Sequence, residues 1–237
     1  MRKLLAICLI SMAAAAQGQP SFEVASIRPA VDQGGPLRVT GRVEADGINL
    51  SNVTLRNCIQ RAYRLKSYQV TGPDWMSTQR YMIVAKASGP APEETILRML
   101  QTLLAERFKL VFHRETKEMP VYALVVAKNG PKIKESPAGD GATEIGGGGG
   151  EGVNFQRVGM DALAGTLTVD RPVFNETGLK GVYDFKLIWS KRVDSVEPGD
   201  APSIFTALQE QLGLKLEARK VAVEMLVVDR VERPGEN

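Results

Sequence analysis

The sequence predicts an α+β protein: two similar halves, each an antiparallel sheet with helices packed on it, built from helix–strand–strand units. The first observation is the stretch Glu93–Lys128, EETILRMLQTLLAERFKLVFHRETKEMPVYALVVAK, which changes period partway along. Ile96, Leu97, Leu100, Leu103, Leu104 and Phe108 keep the spacing of an amphipathic helix; then Phe108, Leu110 and Phe112 alternate with Lys109, Val111 and His113, as in a strand. A polar turn at Met119-Pro120 is expected before a second strand over Val121–Lys128. The second observation is a low-complexity segment, 136–152, containing the five glycines Gly146–Gly150, which reads as a flexible linker. The third is that the flanking blocks align in the same order. Gly47-Ile48-Asn49-Leu50 matches Gly152-Val153-Asn154-Phe155, and Val53, Leu55, Cys58 and Ala62 then meet Val158, Met160, Leu163 and Leu167. Ile96–Gln101 meets Ile204–Gln209, Phe108-Lys109-Leu110 meets Leu214-Lys215-Leu216, and Leu124-Val125-Val126 meets Leu226-Val227-Val228.

The elements follow in chain order. Arg2 and Lys3, an apolar run over Leu4–Ala16 and the small residues Ala14-Ala15-Ala16 have the pattern of a cleaved signal peptide, residues 1–16. The N-terminal half, 20–135, opens with a strand at Phe22–Pro29. Strands at Leu37–Glu44 and Gly47–Leu50 flank the hairpin signal Asp46-Gly47. Val53–Leu65 reads as a helix with Asn52 as its N-cap. A Gly72-Pro73 turn, Trp75 and a strand at Arg80–Ala87 precede the helix of Glu93–Arg107, whose acidic first turn and basic last turn suit the helix dipole. The C-terminal half, 153–234, reads as a strand to Gln156, a helix at Gly159–Leu167 interrupted by Gly165, and a turn at Thr177–Gly181. A strand at Val182–Trp189, a helix at Ser203–Leu212 and strands at Leu214–Ala218 and Val221–Val231 complete it.

Charge and cysteine content narrow the function classes. Removing Arg2 and Lys3 with the signal lowers the formal net charge from +3 to +1, and no basic patch interleaved with aromatics is present, so nucleic acid is not expected as a partner. Cleavage also removes Cys8, leaving Cys58 as one thiol with no intramolecular disulfide partner. The signal implies a secreted or periplasmic location and no stable membrane span once it is cleaved.

No stretch carries a catalytic constellation. His113 is the single histidine, so Cys/His zinc sites lack ligands, and neither a metal nor a cofactor is expected. Cys58 falls on an apolar helix stripe with Leu55, Ile59 and Ala62, the placement of a packing residue rather than a nucleophile. The chain contains neither S-x-x-K nor G-x-S-x-G, and no G-K-[ST] follows the glycine run. No catalytic residue is therefore assigned. The binding candidates are Trp75, beside Gly72-Pro73, and the turn Thr177, Gly178, Leu179, Lys180, Gly181, which hold comparable places in the two halves. An exposed tryptophan there suits a saccharide ring or a peptide; the other reading is that Trp75 and Trp189 complete the core.

Several stretches resemble one family of exported bacterial proteins of unknown function, the DUF3738 group, associated with soil Acidobacteria. They are Phe22–Pro29, Gly72-Pro73-Asp74-Trp75, Leu104–Leu110, Tyr122–Val126, Thr177–Asp184 and Leu212–Leu216. The resemblance implies export and a bacterial source, and supplies no activity and no catalytic residues. Some relatives are implied to carry this region beside a membrane-bound metallopeptidase of the antibiotic-sensor type, which points to extracytoplasmic sensing. The expected function is a noncatalytic binding or protein-interaction module for a protein, peptide or saccharide ligand. The alternative is a carboxylate-dependent hydrolase of envelope or extracellular polymer, using such residues as Glu115, Glu118, Asp161, Asp170 and Asp184.

Overall fold

The computed structural model describes residues 18–30, 39–137, 141–147, 152–190 and 201–235. The expected signal peptide, 1–16, and Gly148–Gly150 of the glycine run lie outside them. The first strands are β1 (Val24–Pro29), β2 (Thr40–Glu44) and β3 (Gly47–Thr54), followed by helix α1 (Leu55–Ala62). Then come β4 (Val70–Thr71), α2 (Trp75–Thr78), β5 (Arg80–Lys86), α3 (Glu93–Arg107) and the long strand β6 (Val111–Val126). The rest comprises β7 (Lys134–Glu135), β8 (Glu144–Gly147), β9 (Val153–Val158), α4 (Met160–Thr166), β10 (Val173–Asn175), β11 (Tyr183–Leu187), α5 (Ile204–Ala207) and β12 (Leu214–Arg230). A π-turn, Leu208–Leu212, extends α5. The protein is of the mixed α+β class, with antiparallel sheets carrying helices.

The chain forms two compact units. One comprises residues 1–115 and 224–237, the other 116–223. The division falls inside β6 and β12, not at the glycine segment 136–152. That segment contributes structure instead. Ser136 donates its backbone N–H to the Val182 carbonyl at 2.8 Å, and Glu144–Gly147 pairs with β9 as strand β8. Its glycines offer no side chain to read, so strand pairing there left no periodic signal.

In the first unit the sheet order is β1-β5-β3-β2, all antiparallel. One face is apolar because alternate residues of β5, Tyr81, Ile83 and Ala85, point inward. Ile48, Leu50 and Val53 of β3 join them under Leu55, Cys58 and Ile59 of α1 and Ile96, Leu100 and Leu104 of α3. Leu226 and Val228, from the far end of the chain, complete this core. Tyr81 meets Phe108 edge-on, with ring centroids 5.3 Å apart. In the second unit the order is β7-β11-β9-β8, again antiparallel. Phe155 and Tyr183 from the sheet, Met160 and Leu163 from α4, Leu208 and Leu212, and Leu124 from β6 form its core. The third sheet runs β10-β6-β12-β4, in which the short strands β10 and β4 are each parallel to their neighbour.

The two antiparallel four-stranded sheets have the same order once β1, β5, β3 and β2 are replaced by β7, β11, β9 and β8. Details coincide as well. Each β3-type strand carries a register shift, with a left-handed residue, Asn52 (φ 58°) or Arg157 (φ 51°), two positions before the helix cap. Lys109 (φ 51°) and Gly213 (φ 67°) precede the two long strands. This sets Leu110 against Leu214, a shift of two residues from the alignment expected between Phe108–Leu110 and Leu214–Leu216.

Four local expectations are corrected. The N-cap of α1 is Thr54, whose hydroxyl accepts from the Asn57 N–H, while Asn57 Oδ1 accepts from the Thr54 N–H; Asn52 sits in the bulge. α4 continues through Gly165. β6 is one strand, not two split at Met119-Pro120. Its middle, His113–Glu118, is exposed on both faces, which removes the alternation, and Pro120 lies just before the Tyr122–Leu124 segment that pairs with β10. β12 likewise joins the two strands expected at Leu214–Ala218 and Val221–Val231.

Candidate functional site

Trp75 opens the single-turn helix α2, set by the N–H groups of Met76 and Ser77 bonding back to the Pro73 and Asp74 carbonyls. The indole is half-buried against the core of the first unit. One ring face is covered by the Arg233 guanidinium, 5.3 Å from the centroid, which is held by donation from its Nε to Gln79 Oε1 at 2.7 Å. Trp189 packs against the core of the second unit. Both tryptophans thus contribute to packing.

The turn Thr177–Gly181 belongs to the second unit and is internally bonded. The Thr177 N–H and hydroxyl both donate to Asn175 Oδ1, at 3.0 and 2.7 Å, and the Leu179 N–H donates to Thr177 Oγ1 at 3.2 Å. Gly178 adopts φ 73°, the left-handed region where glycine carries no Cβ penalty. Leu179 packs on the core, and a Cβ on Gly181 would lie 2.3 Å from Glu135 Oε1. Gly178 and Lys180 are the exposed residues of the turn. Trp75 and this turn lie in different units.

His113 has an acidic partner that sequence proximity does not reveal. Its Nδ1 is 2.7 Å from Asp229 Oδ1, with both side chains substantially exposed. Among the described residues no three His, Cys, Asp or Glu side chains gather as a metal site. Asp184, one of the carboxylates considered for catalysis, accepts the Arg157 backbone N–H at 2.7 Å, which holds its carboxyl below the usual range. That bond fixes the left-handed residue of the β9 bulge.

A cavity of about 350 Å³ opens in the first unit between β3 and α1. Val39 and Leu65 supply aliphatic surface, Leu50, Val53 and Cys58 lie buried behind it, and Asn57, Gln60 and Arg61 add polar groups. The helix positions follow from i, i+3, i+4 spacing, which brings residues 57, 60 and 61 to one face. Burial pushes the Cys58 thiol up to about 12, against a smaller opposing pull from Arg61. A thiol so held is neutral and not poised for attack. The cavity escaped sequence reading because Asn57, Gln60 and Arg61 read as the polar side of an amphipathic helix.

The family model for proteins of unknown function designated DUF3738 matches residues 56–231. The chain belongs to the DUF3738 family. Neither a curated protein nor a solved structure matches it. The DUF3738 match begins at Arg56 in α1 and ends just beyond β12, so it takes in the helical side of the cavity and leaves β3 outside. Among the described residues no helix is long and apolar enough to cross a membrane.

Proposed function

We propose that this DUF3738 protein is an exported, noncatalytic binding module made of two copies of one β-rich unit, serving secreted or periplasmic recognition or sensing. The observation that carries the binding reading is the cavity between β3 and α1, which is in the size range of small-molecule sites and joins an aliphatic wall to a few polar groups. The shared sheet order and the paired left-handed residues support the duplication. The N-terminal sequence pattern supports export. Trp75 and the exposed Lys180 of the Thr177–Gly181 turn are proposed as outer contacts for a protein, peptide or saccharide partner.

The test is a thermal-shift screen of the purified protein against small organic acids, amino acids, short peptides and oligosaccharides, repeated on Leu65→Trp, which fills the cavity. A ligand that raises the melting temperature of the parent and not of the variant supports the reading. Ligands that act equally on both, or turnover of a polymer substrate, would sink it.

A further inference from the structure

Resting on the reading of Trp75 as an outer contact, and not on the cavity, we infer that Trp75, Gln79 and Asp74 form a site for an arginine-bearing extended peptide of a partner protein, occupied in this chain by its own C-terminal tail. Every residue of the site and of the tail belongs to the first unit.

The tail displays what the platform accepts. Just beyond β12 the Glu232 N–H donates to the Phe108 carbonyl at 2.7 Å. Arg233 then lays its guanidinium over the indole of Trp75, 5.3 Å from the ring centroid, and donates from Nε to Gln79 Oε1 at 2.7 Å. A residue that precedes proline is confined to extended backbone, so Pro234 suits Arg233 to this pose. A planar guanidinium stacks on a ring while its in-plane donors stay available, which an ammonium cannot match. The Glu232 carboxylate is engaged by Arg230 and leaves the platform alone.

The hold on Arg233 is weak and the platform is not saturated. Arg233 is exposed and forms no ion pair among the described residues; one ring contact and one neutral acceptor retain it. Asp74, next to Trp75 in the chain, is exposed, caps no backbone N–H of α2 and has no side-chain partner among the described residues. An unused carboxylate beside a cation-binding ring complements a basic ligand. Trp75 and Gln79 lie within the residues matched to the DUF3738 family, 56–231, whereas the tail residues that cover them lie beyond the match. The comparable place in the second unit, the Thr177–Gly181 turn, has no aromatic ring, so the platform is particular to the first unit. A partner's arginine must displace Arg233, which competes from within the same chain.

NMR titration of the indole N–H signals tests the inference, with Trp189→Phe identifying the Trp75 signal. The probe is a blocked peptide of the tail sequence VERPGEN, added to the full chain and to a chain ending at Val231. The shortened chain should show a saturable shift of the Trp75 signal, with affinity about ten-fold weaker in the full chain because its own tail competes. A peptide with glutamine in place of arginine should leave the signal unmoved, and Asp74→Asn should weaken the arginine peptide about three-fold. Binding that ignores the peptide's arginine, or an equal shift with cellotetraose, overturns the arginine assignment and leaves Trp75 an outer contact for another ligand. No shift with any probe, in a shortened chain whose melt matches the parent, overturns both and leaves the cavity to its own screen. Where the shortened chain does not fold, full-length Arg233→Gln takes its place in the titration, with the same outcomes deciding.

Discussion

Cys58 illustrates what a single residue discloses. Its neighbours Leu55, Ile59 and Ala62 marked it as a core position, and it is buried with all three. Native protein should react slowly with a thiol reagent and quickly once denatured; a fast native rate would refute the burial. Cys58→Ala should cost on the order of 1 kcal/mol through lost packing. The pH dependence has a definite sign. The folded thiol titrates near 12 and an unfolded one near 9, so its contribution is fully present below about pH 9 and is lost as pH rises toward 12. The slope from this group approaches about 1.4 kcal/mol per pH unit. Urea unfolding between pH 8 and 11 should therefore show a shallower alkaline loss in Cys58→Ala than in the parent. Burial also raises Tyr63, Tyr68 and Tyr81, so the variant keeps part of the loss. Arg61, by contrast, was not legible as a cavity-lining residue. Its exposure on α1 is what sequence periodicity assigns to solvent, and the cavity exists only once β3 lies beside the helix.

At the scale of elements, legibility followed length and period. α1 and α3 were readable because their apolar stripes are long enough to count, and all six apolar residues expected from Ile96 to Phe108 are buried. β4, β7 and β10 are two or three residues long and carry no measurable alternation. The long strands were missed as single elements because both faces of their middles are polar. The residues that lead into these strands give a paired prediction. Lys109 holds a left-handed conformation at φ 51° where its counterpart is Gly213 at φ 67°. Lys109→Gly should remove a conformational cost of about 1 kcal/mol and raise the melting temperature. Gly213→Ala should lower it, because the new Cβ would lie 2.2 Å from the Gly130 carbonyl oxygen in addition to the left-handed strain. Thermal melts of the two variants should move in opposite directions.

For the whole molecule, the sequence disclosed the α+β class, but placed the boundary between units at the glycine segment. The apparent halves follow chain order, whereas the compact units exchange chain within β6 and β12. Composition marks loops well and cannot mark a crossing made inside regular strands. A chain ending at Val223 should consequently lose the structure of the first unit, since Leu226 and Val228 leave its core, and Cys58 should then label rapidly. Slow labelling in that truncated chain would show that the first unit closes without its last strand. The proposed export predicts an intact mass short of about the first 16 residues in material recovered from its native compartment. The exchanged strands also bear on the order of events at the ribosome. The first unit begins to emerge earliest, yet it requires Glu224–Arg230, which emerge only after the whole second unit. The contiguous second unit is thus the one able to mature first, reversing the N-to-C order usual for domains. Until Glu224–Arg230 are made, the leading segment lacks Leu226 and Val228 of its core, so it is the part of the chain that stays unfinished longest after leaving the ribosome.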